Sequence, residues 1–264
     1  MLSEVLVSVV IPTIRLDNYL RAAVESVLAQ DHRHIEVVIV VDGPEIQMPI
    51  AWDSDARIRI VQHGVRRGTP NALNTGIAEA HGKYIARLDA DDVAHPRRLA
   101  VQVSRLEHEI DVVCVASNVE LIDADGTLIR TTTSPSDNRM INRELLSSNP
   151  LVHSSVMYRT EAVRAIGGYN PQCARMQDYE LYLRLARTGS ILLLSEKLVQ
   201  YRIHPGQHSR LTSPWSISMR EVIRARRTYA QYLRVPGLEQ TLRDTFWFMW
   251  QVLRHNGVVR PRYM

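Results

Sequence analysis

In the first half of the chain, apolar residues fall in short unbroken runs, and each run stops at a polar or turn residue. Val5 to Ile11 is interrupted only by Ser8 and stops at Pro12. A run of this kind predicts a strand buried on both faces. Glu36 to Val41 predicts a second strand, closed by the turn signal Asp42-Gly43-Pro44. Arg57 to Gln62, Lys83 to Leu88 and Val112 to Ala116 predict three more. Between the runs the period becomes helical. Leu20, Ala23, Val24, Val27 and Leu28 share a face behind Asp17, a side chain suited to an N-cap. Pro70 opens a helix with Leu73, Ile77 and Ala80 on one side, and Pro96 opens another with Leu99, Val103 and Leu106. Strands alternating with helices in this way predict an α/β chain with a parallel, doubly wound sheet.

The second half is less regular. Val119 to Arg130 reads as a hairpin turning at Asp125-Gly126, and Val152 to Arg159 as a strand. Thr160 is placed to cap a short helix that ends at Gly167-Gly168. Asp178 to Arg187 is helical, followed by strands at Ile191 to Leu194 and Leu198 to Ile203. From about Pro214 the pattern is helical to the end.

The length of 264 residues and 45% hydrophobic content suit one large domain, or one domain with an appendage. No leader pattern opens the sequence, and no apolar run nears the roughly 20 residues that span a bilayer. The expected location is cytoplasmic, or the inner face of a membrane. Two cysteines, Cys114 and Cys173, give neither a disulfide framework nor a cysteine zinc site. The net charge is +4, and all the basic residues but Lys83 and Lys197 are arginine. That bias is either genomic or an attraction to phosphate. Composition does not separate the two.

In open α/β sheets, ligands bind beyond the carboxyl ends of the strands. Three polar features fall there: Pro12-Thr13, Asp42-Gly43 and Asp89-Ala90-Asp91-Asp92. Three carboxylates within four residues repel one another unless a cation neutralises them. Hard divalent ions favour such oxygen ligands and complete their shell with water and phosphate. The motif alone is weak, because Asp123-Ala124-Asp125-Gly126 repeats it in what reads as a hairpin turn. Its place after a buried strand is what distinguishes the first cluster. A second carboxylate site is Asp178, at the start of a predicted helix. By itself it is either an N-cap or a general base, with Glu180 as a nearby competitor.

Taken together, these segments resemble family 2 inverting glycosyltransferases. The resemblance rests on Val7 to Thr13, Ala23 to Gln30, Glu36 to Gly43, Gly68 to Ile77, Ala80 to Asp92 and Pro96 to Leu99. It runs from about Val5 to Ser209. It implies a GT-A fold, with a mostly parallel Rossmann-like central sheet flanked by helices and a C-terminal helical extension. The implied division is 1–210 for the catalytic domain, with a nucleotide-sugar half at 1–117 and an acceptor half at 118–210. The extension is then 211–264.

The resemblance also implies roles. Thr13 meets the nucleotide, Asp42 the base, Asp89 the ribose or a metal-bound water, and Asp91 a manganese or magnesium ion. Pro12, Ile14, Arg15, Gly68, Asn71, Asn74 and Ala90 complete the donor set. His204 joins the metal, and Asp178 is the general base. His153, Gln177, Arg202 and Ser209 serve the acceptor or phosphate side. Two departures stand out. Val41 replaces the first of two acids often found after the second strand, and Gln177 precedes Asp178 where Glu is common.

The activity implied is inverting transfer of a hexosyl or N-acetylhexosaminyl group from a nucleotide donor, most simply a UDP-sugar. The acceptor is a glycan or lipid-linked saccharide, and the setting is bacterial surface glycan synthesis. No Gln-x-x-Arg-Trp signature of a processive synthase is present. The basic and aromatic tail suits packing on the domain, peripheral membrane contact or a homodimer face. A nucleotidyltransferase is the alternative enzyme, although Pro12-Thr13-Ile14-Arg15 lacks the glycine-rich loop usual there. A non-catalytic nucleic-acid binder is the alternative from another class. No nucleic-acid module supports it, so nucleic acid is not expected as a partner.

Overall fold

The structure is a computed structural model that describes residues 5–44, 52, 55–133, 138–204 and 212–258. In chain order it gives β1 (Val7–Thr13), α1 (Asn18–Leu28), β2 (Ile35–Val41), β3 (Ile58–Gln62), α2 (Thr69–Glu79) and β4 (Tyr84–Arg87). Next come β5 (Val93–Ala94), α3 (Arg98–His108), β6 (Val112–Ile122), β7 (Leu128–Thr131), α4 (Asn138–Glu144) and β8 (Met157–Arg159). The chain continues with α5 (Thr160–Ala165), α6 (Gln177–Leu185), β9 (Ser190–Arg202), α7 (Ile217–Tyr232) and α8 (Gly237–His255).

One mixed sheet carries the strands in the order β3-β2-β1-β4-β8-β6-β9-β5, with β7 paired to β6. The first four are parallel, as their apolar runs predict. Beyond β4 the sheet changes character. β8 is antiparallel to both β4 and β6, whereas β9 runs parallel to β6. The strands alternate their side chains between two cores, as pleating requires. Val7, Val9 and Ile11 face α1 and α3 on one side, while Val10, Val38 and Val40 face α2 and the later helices on the other.

Local signals explain several boundaries. Asp17 caps α1 by accepting from the N–H groups of Tyr19 and Leu20, both at 3.1 Å. Pro70 lies in the first turn of α2. The second half departs from the sequence reading in several places: β6 joins the strand expected at Val112 to Ala116 to the first arm of the hairpin, and α4 was not expected. Val152 to Arg159 is a 3-10 turn at His153–Ser155 followed by the three residues of β8. Thr160 is the first residue of α5 and no cap, since its hydroxyl donates to the Gly82 carbonyl at 2.6 Å. The two strands expected at 191–203 are one, because β9 keeps pairing with β6 past its exposed residues Ser195 to Lys197. The register shift at Ser117–Asn118 absorbs that bulge.

The C-terminal helices join the second core. Met219, Val222 and Tyr229 of α7 and Trp247 of α8 share it with Leu181 and Leu183 of α6. At the joint, buried Arg226 donates to Asp244 at 2.8 Å and to the Tyr179 hydroxyl at 2.8 Å. The same guanidinium lies 4.7 Å from the centre of the Trp247 ring. No helix among the described residues is long and apolar enough to cross a membrane.

Helix α2 approaches β1 closely enough to exclude a side chain at Gly76. A Cβ there would lie 2.3 Å from Cγ1 of Val10, with two more atoms of that side chain within 3.3 Å. Gly76→Ala therefore gains helix propensity of roughly 1 kcal/mol but forces Val10 to move in a filled core. We expect a net loss of about 1–2 kcal/mol in urea unfolding. A gain in stability would show that α2 does not pack this tightly.

Candidate functional site

A cavity of about 490 Å3 opens at the carboxyl ends of β1, β2 and β4. One wall is the β1 end, Pro12 to Arg15, with Asp42 beside it. The floor is Arg87, Asp89, Ala90 and Asp91. The opposite wall is Asn149, His153 and the segment from Ala174 to Tyr179. His204 and, from α8, Gln251 and Arg254 complete the lining.

The acidic loop divides its three carboxylates among different partners. Asp89 is held by Arg87, whose guanidinium is buried beneath it, and by Ser154, whose hydroxyl also accepts the Asp89 backbone N–H at 2.8 Å. Asp91 Oδ2 lies 3.0 Å from His204 Nε2. Asp92 is fully buried: one oxygen accepts the Arg202 backbone N–H at 2.8 Å, and Oδ2 has no partner. Carboxylate oxygens of all three lie within 4.8 Å of one another. Burial and the charge of Asp89 raise the Asp91 pKa, and the His204 hydrogen bond offsets this only in part. Burial, with Asp91 and Asp89 nearby, pushes Asp92 well above the usual carboxylate range. Buried Arg87 and Arg98 supply positive charge from beneath the loop, and on its cavity side the donor set is carboxylate oxygen plus one imidazole. Such a set fits a hard divalent cation.

Arg202 turns inward and does not line the cavity. Its Nε donates to the Asp91 carbonyl at 2.9 Å, and its Nη1 to the carbonyls of Asp123 and Ala124 at 3.1 and 2.9 Å. It also lies 4.9 Å from the centre of the Tyr19 ring. These bonds make it a clamp between the acidic loop and the β6–β7 turn. That turn is the second Asp-Ala-Asp sequence. There Asp123 accepts the N–H groups of Asp125 and Thr127 at 3.0 and 2.8 Å, the work of a hairpin turn.

Asp42 lines the cavity, yet both of its oxygens also organise a loop. Oδ1 meets His63 Nδ1 at 2.9 Å and the Arg67 N–H at 2.8 Å, while Oδ2 accepts the Gly68 N–H at 2.9 Å. Burial works against its charge, but these donors outweigh it and hold the carboxyl below its usual range. Gly68, with φ of +90°, lets the chain turn into α2. Neither Gly68, Asn71 nor Asn74 lines the cavity. Asn71 donates to the Arg67 carbonyl at 2.6 Å, and Asn74 clamps both backbone groups of Tyr169 at 2.7 and 2.8 Å. The Thr13 hydroxyl bonds both backbone groups of Arg15, shaping the β1 end.

Across the cavity, Asp178 sits in the first turn of α6 and accepts from Asn149 Nδ2 at 2.7 Å. Burial raises its pKa. The Tyr179 N–H, the Arg87 charge and Asn149 lower it by less. Glu180 is no rival: it is buried and pairs with Arg184 at 2.7 Å. Met176, which precedes α6, adopts a left-handed backbone at φ +57°, strained for a side chain of its size. His153 Nε2 meets the Tyr169 hydroxyl at 2.7 Å, and burial with the Arg87 charge keeps the ring neutral by pushing its pKa well down.

The cavity thus gathers Pro12, Thr13, Ile14, Arg15, Asp42, Asp89, Ala90, Asp91, His153, Gln177, Asp178 and His204. Ser209 lies outside the described residues. Arg87, Ser154, Asn149, His63, Gln251 and Arg254 were not anticipated. Arg87 alone left a signal, an arginine inside an apolar strand two residues before the acids. The others arrive by long-range folding.

The model of "Glycosyl transferase family 2" matches residues 8–167. An uncharacterized glycosyltransferase of Methanocaldococcus jannaschii is 30% identical over 207 residues, spanning 75% of this chain and 71% of its own length. The O-antigen biosynthesis glycosyltransferase WbnJ of Escherichia coli is 27% identical, over 86% of this chain and 92% of its own. An uncharacterized glycosyltransferase of Rickettsia felis is 30% identical over 79% of this chain, but the match covers only 36% of that protein. Among solved structures, S. aureus TarS 1–349 in complex with UDP superposes with a TM-score of 0.67 at 16% identity, over 91% of this chain and 70% of its own. The same protein in complex with UDP-GlcNAc gives 0.66 at 17% identity, over 94% and 72%. The architecture is accordingly GT-A, and the chain belongs to glycosyl transferase family 2.

Proposed function

We propose that the chain is an inverting, metal-dependent transferase. It would move a hexosyl or N-acetylhexosaminyl group from a UDP-sugar to an acceptor hydroxyl, with Asp178 as general base. The observation that carries this reading is one cavity with two unlike carboxylate centres. Asp91, paired with His204, lies on the floor, and Asp178, raised by burial, lies on the facing wall.

The donor would lie along the β1 end and Asp42, with its diphosphate toward Asp89 and Asp91. UDP and UDP-GlcNAc in the TarS structures support a uridine donor. Asp91 and His204 would hold a manganese or magnesium ion, with Asp89 close enough to bind its water. When bound, such an ion supplies positive charge to the departing diphosphate. Inversion requires a single displacement: the acceptor oxygen bonds to the anomeric carbon as the bond to the diphosphate oxygen breaks on the opposite face. Asp178 takes the hydroxyl proton, and a carboxylate with raised pKa is the better base. Asn149 aims that carboxylate. The O-antigen role in the name of WbnJ supports an acceptor in bacterial surface glycan synthesis. We take 1–210 as the catalytic unit, in halves of 1–117 and 118–210, with 211–264 an extension that lends Gln251 and Arg254 to the acceptor side.

Asp91→Ala is expected to weaken Mn2+-dependent UDP binding by at least about tenfold, read as loss of the thermal stabilisation that ligand gives wild type. Asp178→Asn is expected to keep that stabilisation while sugar transfer falls about 10²- to 10⁴-fold. Full turnover by the asparagine variant would remove Asp178 as the base. The pH profile follows from the raised Asp178 pKa. Transfer needs the charged carboxylate, so activity is present at high pH and is lost as pH falls through the raised value. The acid limb of kcat/KM is therefore expected above the usual aspartate range, and a limb near an unperturbed aspartate would contradict the assignment.

A further inference from the structure

Helix α8 wears its polarity inside out. Its inward face places Gln240 and Asp244 in the interior beside Trp247. Its outward face exposes Leu238, Leu242, Phe246, Met249, Trp250 and Leu253. At 3.6 residues per turn these six fall on one arc of about 120° running the length of the helix. Phe246 is 70% exposed and Trp250 48%. Trp215, itself 76% exposed, meets Phe248 edge-on at 5.4 Å on another side of the helix. The one charged side chain within the arc, Glu239, is paired with Arg243 at 2.8 Å. A continuous apolar stripe of this size on a folded surface marks a docking site.

The charge around it points to what docks there. Between 217 and 258 the chain has seven arginines and only three acids. Asp244 is buried against Arg226 and Arg227, and Glu221 is engaged by Arg224, so the acids are spent on local pairs. Of the exposed arginines, Arg224 and Arg227 are the partners in those pairs, while Arg220 and Arg234 leave a net positive charge on the surface of the two helices. A second copy of the chain, related by two-fold symmetry, would set these arginines against their own counterparts. An anionic lipid surface would attract them instead, and Trp and Phe suit its interface.

We infer that the outer face of α8 lies flat on an anionic membrane surface, with Phe246 and Trp250 in the interfacial layer. The inner side of the same helix lends Gln251 and Arg254 to the catalytic cavity. Docking through the outer side thus leaves the cavity about one helix diameter, ~10 Å, from the lipid headgroups. That geometry suits an acceptor carried on a lipid, a use that rests on the proposed sugar transfer; the docking itself does not.

The test is flotation of the full chain with vesicles of phosphatidylglycerol and phosphatidylcholine, and with vesicles of phosphatidylcholine alone. Wild type should float with the anionic vesicles and be released by salt. A Phe246→Ser/Trp250→Ser variant should bind at least about tenfold more weakly, with unchanged circular dichroism and unchanged UDP binding, because neither side chain lines the cavity. Wild type that stays at the bottom of the gradient would overturn the inference, as would a variant that floats equally well. So would light scattering that shows a wild-type dimer converted to monomer by the same two substitutions without any flotation. Failure here leaves UDP binding and transfer untouched, and failure of those leaves flotation untouched.

Discussion

Three carboxylates in four residues, at the end of a strand buried on both faces, set the terms for the rest of the molecule. Asp89, Asp91 and Asp92 crowd together where water is scarce, and like charges in such a place are costly unless cations face them. The fold answers with side chains drawn from far along the chain. Arg87 and Ser154 take Asp89, His204 takes Asp91, and the Arg202 backbone takes one oxygen of Asp92. Buried Arg98 adds a further positive charge beside Asp92, and burial with the Asp89 charge keeps the Asp91 pKa raised.

Two further side chains tie separate segments together around the acidic loop. Arg202 ties the acidic loop to the β6–β7 turn through three carbonyls, and Asp42 ties the loop before α2 to the end of β2. Neither residue need touch a ligand to matter. The wall that carries Asp178 is built differently. Its turn into α6 passes through the strained backbone of Met176, and Asn149 holds Asp178 from a separate segment.

Much of this was legible in the sequence because burial leaves a periodic trace. The runs at Val5 to Ile11 and Glu36 to Val41 could only be strands covered on both faces, and their abrupt polar ends marked the ligand edge of the sheet. Asp17 marked a helix start by its side-chain hydrogen bonds, and Pro70 by its fixed φ and missing N–H. What escaped was set by distant partners. Ser154 lies in an apolar stretch that reads as a strand, but the chain makes a 3-10 turn there to bring its hydroxyl under Asp89. Asn74 resembles a donor-site residue, yet its amide is spent on Tyr169, ninety-five positions away. Ser195 to Lys197 reads as a break because it is polar, although pairing with β6 carries β9 through it. The role of α8 in the cavity had no local signal, since Gln251 and Arg254 are ordinary helix residues until the helix docks.

The central claim is that the acidic loop and a divalent ion together receive a nucleoside diphosphate. Calorimetric titration of UDP into the wild-type chain tests it most directly, first with Mn2+ present and then after chelation by EDTA. The account predicts saturable binding of one UDP with the metal and at least about a tenfold loss without it. Binding of equal strength in both conditions, or no binding in either, would contradict it.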